Sequence, residues 1–428
     1  MGNPSKVSQI IKYCIFGTVI VVPFVYTPIK SKLDFFYLPK YISLVIIISF
    51  LLMILLSNLK RFNKWFHLDL INKILLVYFC LITVSLLFSI NPILSIKGRM
   101  FRYDGYSTQL IYILLFLFAR TIKTIDKRFI YAVTISASIL SIYGIIQYYG
   151  FDPFPRDFIR QGWVIAFSTF GNQNFFGSFL VLQIPFTLYA ISVYKNKWGY
   201  LAYALSLLAL LMTSTRSAWI GYFLSSVLMY IILLRKEKQS LFIVLFSVII
   251  VVIFNLLGDN QIFNRFMTMV NDTKILSTTS YKDNPAAIEQ VGSVRMFIWI
   301  RVIKLISMRP LFGFGIENLG LAFEKYFYND IIKITGSYAI VDKAHNDFLH
   351  IAVSSGVLSL LAYISFLISI LVNSIKTRNS KEDILLTTSI FGYVICLFFN
   401  ISVVSVAYIF WIYLGLLCRY QTDNITDN

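Results

Sequence analysis

The sequence predicts an all-α polytopic membrane protein with about twelve transmembrane helices and one long outward loop between spans nine and ten. Three observations carry this reading. Of the 428 residues, 58% are apolar and 14% are charged, against roughly 45–50% and about 25% in an ordinary soluble protein. Apolar runs of about 18–22 residues, the length that crosses a ~30 Å hydrocarbon core as a helix, recur from end to end. The runs are continuous, without the dyad alternation of a membrane barrel, and backbone facing lipid must satisfy its own hydrogen bonds. Soluble, fibrous and disordered classes are excluded.

The first run, 9–28, follows Lys6 and Lys12. It lacks a small-x-small cleavage site, so it reads as a retained span. Runs at 38–57, 72–90, 107–121 and 129–148 follow, then 175–194, 198–214, 217–234 and 240–257. After the long polar stretch come 346–373, 384–402 and 404–419. The chain thus divides into 1–257 with spans one to nine, an outward loop 258–344 with amphipathic helices, and 345–428 with spans ten to twelve and a cytoplasmic tail. Within the loop, Arg295 to Met308 mixes Phe, Ile, Trp and Val with Arg301 and Lys304 and stops before Pro310. That pattern predicts a helix along the membrane surface, with Arg301 and Lys304 on phospholipid and Arg295 pointing about 120° away from Arg301.

The net charge of +18 is scattered through short connections, which is how a membrane protein fixes its orientation and not how it binds nucleic acid. With the N-terminus inside, sixteen Lys and Arg residues fall in five inward connections and nine in the short outward ones. This predicts that both termini are cytoplasmic. Cys14, Cys80, Cys396 and Cys418 lie in or at the ends of apolar runs with no CxxC pair, so they read as packing residues rather than a disulfide framework or zinc site.

Transporters that couple to ions place ionisable residues near the bilayer midplane. Here the centres of the runs are almost free of charge, and Arg102, Asp104, Arg216, Arg295, Asp342, His345 and Asp347 fall at outward ends and loops. Chemistry at the outer interface is favoured over passage through the membrane. Several arginines with one histidine suit an anionic substrate anchored at that interface, such as a polyprenyl-diphosphate glycan. Arginine binds phosphate bidentately and stays protonated. At an effective dielectric of about 20, a cation roughly 4 Å from a phosphate charge contributes about 4 kcal/mol. Histidine can accept a hydroxyl proton near neutral pH. The scheme demands no metal and no cofactor.

The segment Lys343-Ala-His345-Asn346, followed after nine residues by Gly356, resembles the signature of the bacterial O-antigen ligase and O-antigen polymerase superfamily. Other pieces resemble it in the same order: Arg102-Tyr-Asp104-Gly105, Gly171-Asn172-Gln-Asn174, Thr213-Ser-Thr-Arg216-Ser-Ala-Trp219, Val294-Arg295, and Pro310-Leu-Phe-Gly313-Phe-Gly315. The resemblance implies a membrane glycosyltransferase that takes a polyprenyl-diphosphate-linked saccharide as donor on the outward face. It implies His345 as the catalytic residue and Arg216 and Arg295 as donor diphosphate binders, with Arg102, Asp104, Asn172, Asn174 and Asn346 as supporting residues. The acceptor is a lipid A-core sugar in the ligase branch, another lipid-linked repeat unit in the polymerase branch and a protein hydroxyl in a third. The family's partners are therefore the lipid-linked donor, one of these acceptors and membrane lipids.

Each of these residues also has a plainer reading. His345 fits a polar helix start, but Asn346, Gly356 and the outward position favour function. His350 lies about 140° around a helix from His345, so the two do not form an i,i+4 metal pair, and it reads as packing; His67 reads as an ordinary cytoplasmic loop residue. Arg102 and Asp104 pair with each other, cap the fourth span or support the site. Asn172 and Asn174 cap the sixth helix or bind sugar hydroxyls, and Gly313 and Gly315 allow a tight turn after Pro310. The rival function is a lipid-linked oligosaccharide flippase or polysaccharide exporter, which predicts a polar path through the spans.

Overall fold

The computed structural model describes residues 6–27, 35–58, 68–152, 165–237, 239–258, 260–376 and 380–420. His67 lies outside the described residues, as do Lys30, Lys32, Lys60, Arg61, Lys64, Arg156, Arg160, Lys238 and Arg378. Among the described residues all regular structure is helical. In chain order the α-helices begin with α1 (Lys6–Val21), α2 (Tyr37–Leu56), α3 (Leu70–Leu87), α4 (Pro92–Lys97), α5 (Tyr106–Arg120) and α6 (Lys127–Tyr148). Next come α7 (Gln173–Ser192), α8 (Trp198–Met212), α9 (Arg216–Ile232), α10 (Ser240–Leu257), α11 (Gln261–Thr278) and α12 (Pro285–Gln290). The last are α13 (Arg295–Met308), α14 (Leu319–Thr335), α15 (Asp347–Ser355), α16 (Val357–Lys376), α17 (Lys381–Leu397) and α18 (Ala407–Leu417).

Among the described residues seven stretches, Lys6–Phe24 and helices α2, α3, α6, α7, α10 and α16, are long and apolar enough to cross a membrane. Four shorter apolar helices, α5, α8, α9 and α18, lie among them. The protein is a multi-pass helical membrane protein. Its centre is α7, buried at every residue from Phe175 to Ser192 and packed against α6, α8, α9 and α17. Helices α9 and α17 approach closely, and a Cβ on Gly221 would stand 2.6 Å from the Gly392 carbonyl oxygen. Small residues let helix backbones touch in this way where apolar burial gives no advantage over lipid.

Two predicted spans depart from continuous helix. The run 346–373 breaks at Gly356, which has φ +90° and separates α15 from α16. The break exists because the Pro310–Gly315 segment crosses there. Val357 N donates to Pro310 O at 2.8 Å, Phe314 N to Val353 O at 2.9 Å and Gly315 N to Ser354 O at 2.8 Å. The run 404–419 is helical only over the 11 residues of α18, about 16 Å long against the ~30 Å of a bilayer core. The preceding residues 399–406 are non-helical, and most of them are buried. Irregular backbone at such depth is tolerated only where protein or a water-filled cavity surrounds it, and this segment forms part of the site's floor.

A side chain at 356 would adopt an unfavourable left-handed φ and place its Cβ 2.0 Å from Leu311 O. Gly356→Ala is expected to destabilise the protein by more than about 2 kcal/mol, seen as a lower melting temperature of the solubilised chain beside a neutral reference such as Lys304→Ala.

Candidate active site at the loop and helix ends

Three backbone turns in the left-handed region deliver the three residues expected to matter most. Ser214, at φ 51°, ends α8 and turns the chain into Thr215, the N-cap of α9, so that Arg216 is the first residue of that helix. Ser293 and Val294, at φ 59° and 70°, stand directly before Arg295, the first residue of α13. His345 itself has φ 50°. Such values are uncommon outside glycine, and for a β-branched residue such as Val294 they mark strain held by the surrounding structure.

The turns converge. Arg216 Nη1 donates to Asp272 Oδ2 on α11 at 3.0 Å and Nη2 to Ser293 Oγ at 3.1 Å, beside Arg295. One turn along α13 from Arg295, Trp299 Nε1 donates to the Ala344 carbonyl at 2.9 Å, and i,i+4 residues share a helix face. Arg295 is thereby set toward His345. The charges register this geometry: burial and then the neighbouring Arg216 lower Arg295 to about 10. Burial and then Arg295 lower His345 to about 4, with Asp342 opposing. At neutral pH the imidazole is uncharged. The Arg295 side chain makes no hydrogen bond or ion pair among the described residues.

The supporting candidates lie around the same place. Arg102 does not pair with Asp104, as one reading of the sequence had it. The turn before α5, with left-handed Phe101 and Tyr103, separates the two side chains. Arg102 Nε meets Asp342 Oδ2 at 3.1 Å and stacks over the Phe175 ring. Asp104 meets the ammonium of Lys343 at 3.4 Å. Nor does Asp104 cap the fourth predicted span, since Gly105 is the N-cap of α5 and lacks a capping side chain. Asn172 Oδ1 caps α7 by accepting from Asn174 N at 2.8 Å, and Asn174 Oδ1 accepts from Thr215 Oγ1 at 3.2 Å, next to Arg216. Asn346 Oδ1 caps α15 by accepting from Leu349 N at 3.0 Å. Arg301 is not a lipid contact: it is 8% exposed and held by Glu289 at 2.7 Å and Asp330 at 2.9 Å, acidic residues that α12 and α14 of the same loop bring over it.

Beneath His345 lies a group that the sequence left unassigned. The Lys343 ammonium, 2% exposed, sits between Asp104 and Glu317, its bond to the latter being short. Burial opposes its charge, and Glu317 and Asp104 together outweigh burial and raise the lysine above its ordinary value. Burial raises Asp104, with Lys343 opposing and Glu317 reinforcing. Asp104 Oδ1 and Glu317 Oε2 have no hydrogen-bond partner among the described residues and border a cavity of about 50 Å³, also lined by Asp347, His350, Ser354 and Ser402. Such a volume takes a few waters. Asp347 accepts from Ser402 N at 3.0 Å and Ser402 Oγ at 3.1 Å, which ties α15 to the irregular segment before α18. His350 is a wall of this polar cavity rather than a purely packing residue. Lys343, Glu317, Ser402 and Asp272 were not singled out from the sequence. Lys343 and Glu317 did carry a signal, since Lys343 opens the quoted Lys343-Ala-His345-Asn346 segment and Glu317 stands two residues after the quoted Gly315.

Among the described residues no cluster of three or more His, Cys, Asp and Glu side chains has metal-holding geometry. The arrangement can bind an anion between Arg216 and Arg295 while presenting a neutral base beside it. Residues 201–364, from α8 to α16, match the family model described as O-antigen ligase. No curated protein matches the chain.

Two measurements test this geometry. Lys343→Met leaves two buried carboxylates without their cation and is expected to cost about 3–5 kcal/mol of stability, read as a fall in melting temperature. Carbethoxylation modifies only neutral imidazole, so mass spectrometry of His345 is expected to give a titration midpoint near 4, not near the ~6.5 of a free histidine. Removing the nearby cation in Arg295→Gln moves that midpoint upward.

Proposed function

We propose that this chain, whose residues 201–364 match the O-antigen ligase family model, transfers or polymerises a polyprenyl-diphosphate-linked glycan on the outer face of the bacterial cytoplasmic membrane. The family supports a membrane enzyme of O-antigen or related polysaccharide assembly. In this reading about twelve spans carry the outward loop 258–344, both termini are cytoplasmic, and segments 1–257 and 345–428 form the membrane body. The observation that carries the reading is the juxtaposition of Arg216 and Arg295, the latter without a counter-ion among the described residues, with a neutral His345.

The transfer is inverting. The diphosphate of the donor lies against Arg216 and Arg295, and the acceptor hydroxyl approaches the anomeric carbon from the opposite side. His345 takes the hydroxyl proton as the new C–O bond forms, and the bond from the anomeric carbon to the phosphate oxygen breaks with its electron pair going to the diphosphate. The two guanidiniums meet the charge that develops there, where fixed donors act with most effect. The residues present need no metal for these steps. Donor binding also adjusts the base. Its negative charge offsets Arg295, the main charge depressing His345, and so raises the imidazole toward the pKa at which a base works best near neutrality.

Replacing Arg216 or Arg295 by Ala is expected to slow transfer by roughly 10²–10³, measured on isolated membranes with lipid-linked donor; use of donor at the wild-type rate would remove the diphosphate role. In cells, His345→Ala at normal protein level is expected to abolish finished surface glycan while polyprenyl-linked precursor builds up on the outer leaflet. Accumulation inside would instead support the flippase reading, and no change in either would leave His345 a helix-end residue.

A further inference from the structure

Helix α11 buries no residue completely, yet its single carboxylate, Asp272, holds Arg216. On a helical wheel at 100° per residue, Phe263, Phe266, Met267 and Val270 form one stripe, and Asp272 points about 180° away from its centre. The stripe is exposed: Phe263 56%, Phe266 57%, Met267 39% and Val270 41%. Among the described residues no protein covers it, and it is continuous with a lipid-facing surface. The preceding α10 is the most hydropathic candidate span, at 3.0, and is 17% buried; it ends on Leu256 and Leu257, 71% and 82% exposed. A left-handed turn at Asn260 then starts α11. An apolar stripe that leaves such a span within a few residues lies at the boundary of the same leaflet.

We infer that α11 rests on the outer leaflet by this stripe and acts as a latch, its Asp272 occupying on Arg216 the position that the donor's phosphate must take. The inference rests on the diphosphate role proposed above for Arg216. The contact has the geometry that a phosphate oxygen would have: a carboxylate oxygen 3.0 Å from Nη1, with Ser293 Oγ 3.1 Å from Nη2. Both oxygens compete for one fork of N–H donors, so donor binding requires Asp272 to leave. Arg295 is not latched, because it makes no ion pair among the described residues. It is the first cation the incoming diphosphate can meet, and Arg216 is the second. The latch keeps Arg216 paired when no donor is present, and because α11 lies in the leaflet through which a lipid-linked donor diffuses, its displacement is coupled to arrival from that side.

The test measures binding of a sugar-free polyprenyl diphosphate to the full chain in phosphatidylethanolamine–phosphatidylglycerol nanodiscs. Asp272→Asn is expected to bind about two- to fivefold more tightly than wild type, and Arg216→Ala roughly ten- to hundredfold more weakly. Asp272→Asn added to Arg216→Ala should change nothing further. Weaker binding by Arg216→Ala with no gain from Asp272→Asn overturns the latch and leaves the proposed function standing. Equal binding by Arg216→Ala and wild type overturns the diphosphate role and the latch with it. A benzophenone side chain placed at position 266 should crosslink to phospholipid in the same nanodiscs; crosslinks confined to the protein would overturn the position of α11 on the leaflet.

Discussion

Lys343 carries its ammonium to a depth where an unpaired charge costs several kcal/mol, and the segments that answer this charge are the ones that build the site. Asp104 comes from the turn before α5, Glu317 from the turn before α14, and Lys343 from the segment two residues ahead of His345. Three stretches far apart in sequence are thus bound at one point. Glu317 adopts a left-handed φ of 63°, and the pairing holds it there. A histidine two residues along from so fixed a point has little freedom, and preorganisation of that kind spares a reaction the cost of arranging its groups.

The charge around His345 is asymmetric. Below His345 the carboxylates Asp104, Glu317 and Asp347 share Lys343 and the hydrogen bonds from Ser402. Beside it, Arg216 is paired with the carboxylate of Asp272, and Arg295 has no carboxylate partner among the described residues. The acidic group is internal and structural, and the basic pair is arranged with one cation in excess. In the proposed reading, a dianionic headgroup would complete the second group without disturbing the first, and its charge would bring the imidazole from a depressed pKa back toward its ordinary one.

The fold was legible because lipid enforces it: long apolar runs must be helices, and each of the twelve read from the sequence coincides with helix over most of its length. Hydropathy could not show where a helix stops inside an apolar run. Val-Ser-Ser-Gly-Val-Leu-Ser reads as continuous, and only the approach of the Leu311 carbonyl makes Gly356 a break. The shortness of α18 was hidden for the same reason, since buried Val403, Val404 and Val406 are as apolar outside a helix as in one. At the site, the residue types and the outward position of His345, Arg216 and Arg295 were readable. Their partners were not. Asp272 and Ser293 reach Arg216 across 56 and 77 residues of sequence, and Asp342 reaches Arg102 across 240. Local patterns carry no information about pairings over such distances, which is why the neighbouring pair Arg102 and Asp104 looked like partners.

The burial of α7 bears on how the molecule is made. Its neighbours include α17, which begins at Lys381, about 190 residues after α7 ends at Ser192. At the roughly 5–20 residues per second of synthesis, α7 waits on the order of ten to forty seconds before that part of its surroundings exists. Throughout this interval its flank faces lipid or the insertion machinery, whereas in the finished protein it faces neither. The helix therefore answers to two solvents in succession. It has the lowest hydropathy of the seven candidate spans, 1.6, which is apolar enough for the first and still leaves room for Gln183 and Pro185 in the second.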